Sequence, residues 1–450
     1  MLTGNGDFLV QTQMGSQPGD NGYPQASLVA INPADSDMIV AAGQDSGVFL
    51  SLDGGNSWRP MTDPRTNNAL RPHLSRPLFA HFETFFNGHA NVYIGARGRG
   101  AWRVTINRYT FVTSSDFDGN GTGDIAIGSP WGIGTLEKTG NSFTALALKP
   151  NGSRFDGWLL NTADNRLEII ADLNGNGKSE MVFASPWGIG VLHLAGNTYR
   201  ANMLHPNGTR FGGWRLNTED NRFGPVGDFD GDGKDEVMVS SPWGIGVFEF
   251  NGTTFTVPVM APNGTRFDGW LLNTADNRFG PVGDFDGDSK DDIVVRSPWG
   301  IGLLNLSGST FAGLMLKPNG TDFGGWLLDT ASNGNWAAGN FAHNSRDDLF
   351  CSGLSGIAIL NFDKPSKTFK ATVVANNGSR FGGWLLSTQD NHFSGFHDIT
   401  GDNRADIVVS SPWGIGVLSQ SGNTFSLPIS ARNGTRFGGW LLNTLDNKFW

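Results

Sequence analysis

An all-β fold assembled from repeated four-stranded units is predicted by three features of the chain. The hexapeptide Ser-Pro-Trp-Gly-Ile-Gly occurs five times, opening at Ser129, Ser185, Ser241, Ser297 and Ser411. A block ending in Gly-Trp recurs at Trp158, Trp214, Trp270, Trp326, Trp384 and Trp440, at intervals of 56, 56, 56, 58 and 56 residues. Between these landmarks run short stretches rich in Val, Ile and Phe, bounded by turn signals and lacking helical periodicity. A fixed period of this length marks one supersecondary unit copied along the chain. Four short antiparallel strands per unit is the pattern of a β-propeller blade, and six copies are recognisable.

Copy three shows the elements in order. Phe223–Phe229 predicts a first strand, Glu236–Ser240 a second, Gly246–Phe250 a third and Thr254–Met260 a fourth. Asn251-Gly252 predicts a hairpin between the last two, and Thr139-Gly140, Ala195-Gly196, Ser307-Gly308 and Ser421-Gly422 fill the same slot. Copy five departs from the pattern. Its hairpin slot is the longer Asp363-Lys-Pro-Ser-Lys367, and its hexapeptide has become Gly353-Leu-Ser-Gly-Ile-Ala358, yet Gly382-Gly-Trp384 survives. Two closures are open: six blades alone, or seven with a contribution from residues 1–108. The last residues, Asp446–Trp450, repeat the start of a first strand (Asp276–Phe279) and are expected to latch onto the first blade.

Composition bounds the function. With 450 residues and 38% hydrophobic content the chain can build two ordinary domains or one large ring. A formal net charge of −10 argues against nucleic acid or an anionic membrane as partner. Much of that acid lies in repeated loops, where four divalent cations would offset most of it. Cys351 is the only cysteine, so no intrachain disulfide forms and no zinc site is visible. No apolar stretch approaches the roughly 18 residues of a membrane-spanning helix. Met1–Asp7 lacks a signal-peptide pattern, so the chain is expected to be trimmed or to begin inside a longer gene product.

The acidic loops open thirteen residues before each hexapeptide. Their register suits Ca²⁺: side-chain oxygens at positions 1, 3, 5 and 9, a backbone carbonyl at 7 and a turn-permitting Gly at 6. Copy one supplies Asp116, Asp118, Asn120 and Asp124, and copy two Asp172, Asn174, Asn176 and Glu180. Copy three supplies Asp228, Asp230, Asp232 and Glu236, and copy four Asp284, Asp286, Asp288 and Asp292. Position 6 is Gly121, Gly177 and Gly233, but Ser289 in copy four, where strain is expected. Copy six keeps Asp398, Asp402 and Asp406 with Thr400 at position 3, so a weaker fifth site is expected. Copy five, reduced to Asn340–Asp348, should not bind. A plain polar turn would explain one such loop; four in a single register favour the cation, and a flexible all-oxygen cage favours Ca²⁺ over Mg²⁺.

The tryptophans fall in two sets. The Gly-Trp set is expected to wedge between blades as core. The hexapeptide set, Trp131, Trp187, Trp243, Trp299 and Trp413, sits in tight turns and is balanced between packing and presenting a flat face to a sugar ring. Arg154, Arg210, Arg266, Arg380 and Arg436 are candidates for the accompanying polar role, with a structural role equally open. Asn-Gly-Ser/Thr sequons at Asn151, Asn207, Asn263, Asn319, Asn377 and Asn433 read as turns before glycosylation sites. No HExxH, GxSxG or phosphate-binding loop is present, and a non-enzyme is expected; a carboxylate pair for glycoside hydrolysis stays open.

Two resemblances follow from these motifs. The unit from Phe111 to Trp450 resembles the FG-GAP/VCBS repeats of integrin-like propellers and of fungal and bacterial propeller lectins, chiefly through its loop, since the Phe-Gly and Gly-Ala-Pro signatures match loosely. In residues 1–108, Ser51-Leu-Asp53-Gly-Gly-Asn-Ser-Trp58 fits Ser-x-Asp-x-Gly-x-x-Trp. That segment, with strand pairs Met38–Ala42/Gly47–Ser51 and Asn91–Gly95/Trp102–Val104, resembles the BNR/Asp-box propellers of sialidases and xyloglucan-cleaving hydrolases. A boundary is expected near Ile106–Thr110. The resemblance implies a multivalent, calcium-stabilised, lectin-like propeller at an extracellular or cell-surface site, with glycans or glycoproteins as partners. A protein-binding adhesive ring with structural calcium is the first alternative, and an accessory part of an Asp-box glycosidase the second.

Overall fold

The computed structural model describes residues 26–32, 35–43, 47–51, 55, 58–61, 77–84, 90–97, 100–106, 112–120, 123–129, 132–139, 142–342, 345–400, 402–437, 440–442 and 444. Trp131, Gly121 and the expected C-terminal latch at Asp446–Trp450 lie outside them. The chain divides into two compact units, Met1–Tyr109 and Thr110–Trp450.

The first unit contains a four-stranded antiparallel sheet (Ala26–Asn32, Asp35–Gly43, Gly47–Ser51, Arg59–Pro60) and a three-stranded one (Pro77–Thr84, Ala90–Ala96, Gly100–Ile106). Met38, Val40, Val48, Leu50, Val92 and Ile94 form its core. The turn after Gly47–Ser51 is tied by its own motif: Gly55 N donates to Ser51 Oγ (2.8 Å), and Trp58 Nε1 donates to the Gly55 carbonyl (3.0 Å).

The second unit is a β-propeller of six four-stranded blades, each sheet antiparallel with its strands in chain order. Blade three, typical of the set, uses Arg222–Gly227, Glu236–Ser241, Gly244–Phe250 and Phe255–Pro262. The core lies between blades. Val182, Ile189 and Val191 of blade two pack in one cluster with Val237, Val239 and Phe248 of blade three. Equivalent clusters join blades three to four and five to six. A single unit therefore cannot bury its apolar faces alone, which is why the sequence repeats.

Two features differ from the sequence expectation. Ser241 pairs directly with Gly244, so Pro242-Trp243 is a two-residue hairpin and the third strand begins two residues earlier than the Gly pattern implied. The Gly-Trp block also forms a small hairpin of its own after most blades, as in Arg266–Phe267 paired with Trp270–Leu271. These pieces have two residues per strand, too short for a period-two pattern to register.

Ser289 adopts φ +65°, beside +84° for Gly233 at the matching place. An L-residue there carries a Cβ penalty that glycine lacks. Ser289→Gly is expected to raise stability by about 1 kcal/mol. Urea unfolding checks this, and an unchanged or lower midpoint would show the turn is not strained.

Candidate functional site: acidic loops and stacked tryptophans

Each loop begins as the first strand leaves its sheet and ends where the second enters. In blade three, Asp228 caps the turn: Oδ1 accepts from Gly231 N (2.7 Å) and Asp232 N (3.0 Å), and Oδ2 from Gly233 N (3.0 Å). Asp230 Oδ1 accepts from Asp232 N (3.0 Å), and Asp232 Oδ1 from Lys234 N (2.9 Å). Glu236 opens the second strand, 2% exposed, with Oε2 accepting from Phe229 N (2.8 Å). Its Oε1 is buried without a partner. The backbone thus gathers four acids whose oxygens lie within 4.8 Å of one another.

Burial, followed by Asp230, Asp228 and Asp232, pushes the Glu236 carboxyl up to about 8. Asp292 is likewise pushed to about 8 by burial and then by Asp286, Asp288 and Asp284, and Glu180 to about 7, mainly by burial. Stranded carboxylate oxygens are costly unless a proton or cation meets them.

The structure sorts the expected ligands. Among the described residues, three acidic groups form: Asp116, Asp118 and Asp124; Asp228, Asp230, Asp232 and Glu236; Asp284, Asp286 and Asp292. Asp288 stands outside the last group. Asp124, Asp286 and Asp292 each carry a buried Oδ1 with no partner, as Glu236 does with its Oε1. These orphaned oxygens fit a cation. Asn120 donates to Asp118 Oδ2 (3.2 Å) and Glu137 Oε1 (3.1 Å). In copy two, Asn174 donates to Glu180, Asn176 Oδ1 accepts from Lys178 N (2.8 Å), and Asp172 caps Asn176 N and Gly177 N.

Copies five and six close differently. Asp348 Oδ1 accepts from Asn361 Nδ2 (2.8 Å), and Asp406 Oδ1 accepts from the Ser419 hydroxyl. Asn361 and Ser419 both lie thirteen residues beyond the closing acid, on the third strand. A neutral donor there satisfies the oxygen that is left bare in blades one and three, where the same place holds Glu137 and Glu249; in blade four the place holds Asn305, yet Asp292 Oδ1 has no partner. Asp398 and Asp402 cap their turn but are not gathered with Asp406 into a group.

Successive loops are also joined head to tail. Asp172 N donates to Asp235 Oδ2 (2.9 Å) while Asp235 N donates to the Asp172 carbonyl (3.0 Å). Asp291 with Asp228, and Asp347 with Asp284, make the same reciprocal pair. At the blade five–six junction Ala405 N donates to the Asn340 carbonyl (2.9 Å), but Ala405 has no carboxylate to accept a bond in return.

The tryptophans form tilted ring-on-ring pairs across the repeats, with interplanar angles of 49°, 46°, 39° and 49°. Trp158, Trp214, Trp270, Trp326 and Trp384 are at most 2% exposed. Trp270 Nε1 donates to Asn277 Oδ1 (3.1 Å), and Trp158, Trp214 and Trp384 find Asn165, Asn221 and Asn391 likewise. Trp187, Trp243, Trp299 and Trp413 are 41–43% exposed. Each rests on the buried tryptophan before it, with centroids 4.6, 4.3, 4.4 and 3.9 Å apart. The last glycine of the hexapeptide makes room for the buried ring: a Cβ on Gly302 would lie 2.7 Å from Trp270 Cε3. In blade five that glycine is Ala358, Trp326 Nε1 has no partner, the place of the exposed tryptophan is taken by Ser355, and the place of the proline by Leu354, 77% exposed.

The sequon asparagines hold these turns. Asn207 Nδ2 donates to the Pro186 carbonyl (3.0 Å) and to Thr218 Oγ1 (2.9 Å), its N donates to the Trp187 carbonyl (2.8 Å), and its Oδ1 accepts from Thr218 N (3.0 Å). Asn263, Asn319 and Asn433 repeat the staple. Both Nδ2 hydrogens are used, so these are turn residues. Arg154, Arg210, Arg266, Arg380 and Arg436 are exposed on the small hairpins, and Arg266 Nη1 donates to the Gly269 carbonyl (3.3 Å). Among the described residues no guanidinium of this set stacks on an exposed indole. A cavity of about 540 Å³ on blade four, lined by Asp268, Asn305, Ser307, Leu314, Ser366 and Lys367, escaped sequence reasoning. Its only signal was the long hairpin of copy five, which supplies Ser366 and Lys367.

Comparison with known proteins gives two kinds of match. A model of the FG-GAP-like repeat matches residues 228–295, and one of the FG-GAP repeat matches residues 278–313. Among solved structures the chain is similar to a lectin of Agrocybe aegerita described for specific recognition of non-reducing terminal N-acetylglucosamine. That similarity is 20% identity over 76% of this chain and 87% of that one, with a TM-score of 0.51. A Photorhabdus luminescens Tc holotoxin pore (12% identity, 84% of this chain, 17% of that one, TM-score 0.42) and a periplasmic gluconolactonase of Pseudomonas aeruginosa (10%, 76%, 91%, 0.42) are more distant. No curated protein sequence matches the chain.

Proposed function

The repeats of this chain are FG-GAP repeats folded as propeller blades, and from that premise we propose that it is a multivalent carbohydrate-binding protein without catalytic activity. The observation that carries the reading is the row of exposed indoles at Trp187, Trp243, Trp299 and Trp413, each on a buried indole and each on a stapled two-residue turn. A rigid flat face held half in water suits the C–H face of a pyranose ring. The Agrocybe aegerita lectin, whose fold the chain shares, supports the same reading. Each site is small, so repetition supplies strength: bound together on a glycan-coated surface, weak sites gain avidity. Blade five, with Ser355 in place of the tryptophan, is a silent position.

In the same reading the acidic loops of blades one to four hold Ca²⁺, and that of blade six holds it more weakly. The ion would neutralise the crowded carboxylates and stiffen the loops, as expected for a protein working in the calcium-rich exterior. A glycan array read with calcium and with EDTA tests the function. The protein is expected to bind a restricted set of glycans, and Trp187→Ala with Trp243→Ala, Trp299→Ala and Trp413→Ala to lower surface binding by about a hundredfold or more with the fold intact. Array binding that ignores these changes, or an array with no ligand, would overturn the reading.

A further inference from the structure

The long hairpin of blade five reaches back into the acidic loop of blade four. Lys364 Nζ lies 3.0 Å from Asp286 Oδ2, whose side chain is 3% exposed. Asp288 and Asp292 act on the same ammonium. Asp286 belongs to the group it forms with Asp284 and Asp292, within 4.8 Å of one another. Asp292 is fully buried and Asp286 6% exposed, and each still has one buried carboxylate oxygen without a partner. The matching hairpins of the other copies, such as Ala195-Gly196 and Ser421-Gly422, are two residues shorter and bring no lysine.

We propose that Lys364 is a tethered counter-cation for the fourth loop, an ammonium that sits among its carboxylates and that a divalent ion must displace. The proposal rests on the reading that the loops bind calcium; what sets this loop apart is that its ammonium comes from the next blade, while Lys234 on Asp232 in blade three belongs to the loop itself. An ammonium is a compact point charge on a flexible stem, and here the side chain is 57% exposed, so it can leave toward solvent. One monovalent charge leaves Asp286 Oδ1 and Asp292 Oδ1 unmet, so a dication still prevails at sufficient concentration. The fourth loop then fills only after Lys364 has been expelled from it, whereas in blade three the ammonium on the acidic group is the loop's own Lys234, on Asp232. The signal in the sequence is the coincidence of a longer hairpin in copy five with an intact acidic loop in copy four.

Calcium titration of the full chain by calorimetry, after chelation and desalting, tests this with Lys364→Met, which keeps most of the stem and removes the charge. One site in Lys364→Met is expected to bind calcium about three- to tenfold tighter than in the native protein. On a background of Asp292→Asn, which removes the closing carboxylate, that difference should vanish. In EDTA, Lys364→Met is expected to melt below the native protein, and the gap to close in saturating calcium. Identical titrations of the two proteins, with calcium bound at other loops, would sink the role of Lys364 and leave the calcium reading standing. No calcium uptake by either protein would bring down both.

Discussion

Trp270→Ala is expected to destabilise the propeller by about 3–5 kcal/mol, whereas Trp299→Ala, one ring away, should cost under about 1 kcal/mol. Trp270 is fully buried in the cluster joining blades three and four, so its removal opens a cavity between two sheets that share no covalent brace beyond the chain itself. Two further losses follow. Asn277 Oδ1 loses the indole donor and keeps only Asn273 N, at 3.0 Å. The face of Gly302, kept bare for the ring, is left facing empty space. Trp299 gives up only its contact with Trp270, at 4.4 Å between centroids. Equilibrium denaturation of the two variants checks the contrast, and similar losses would mean that the exposed ring is part of the core. Trp270→Ala should also weaken glycan binding at blade four, because Trp299 loses its support.

Calcium removal is expected to reverse the pH dependence of stability. The carboxyls of Glu236 and Asp292 rise to about 8 in the fold, Glu180 to about 7 and Asp291 to about 6, burial being the first cause in each. An acid raised by folding holds its proton more tightly folded than unfolded, so its contribution is full below the ordinary carboxylate value and is lost as pH climbs through the folded value. The metal-free protein should therefore melt at progressively lower temperature between about pH 5 and pH 8.5. On the calcium reading proposed above, the ion would replace those protons with a dication that prefers the ionised carboxylates. At about pH 8 each site filled at a hundredfold excess over Kd adds about 2.7 kcal/mol, while at about pH 5 competing protons shrink that gain. Scanning calorimetry with EDTA and with calcium across this range decides it. A metal-free melting temperature that is flat or rising toward alkaline pH would refute the arrangement of charges described above.

The repeat made the fold legible. Short continuous runs such as Glu236–Ser240 lie where the sequence places them, to within one residue, because both faces of an inner strand are buried between blades. The Gly-Trp set was identifiable as core since glycine beside a large ring signals close approach. The small hairpins were not readable, nor was the early start of the third strand, because Pro-Trp carries none of the usual two-residue turn residues. The acidic clusters were visible from spacing alone. Their seams were not: the first acid of Asp235-Glu236 looks like part of the loop, and only the structure shows Asp235 bonded to the preceding blade. For Lys364 the sequence showed only the longer hairpin, and its partner Asp286, in another copy, was visible only in the structure.

The seams have a consequence for how the array gives way under load. Where Asp235, Asp291 and Asp347 clasp the preceding loop, a pulling force must break two bonds at once, one of them to a carboxylate. At the junction of blades five and six, Ala405 offers a single backbone bond. Tension applied through the chain ends should therefore peel blade six away first and leave blades two to five as one tougher block. Built this way, the array has a designated fuse at the seam between blades five and six.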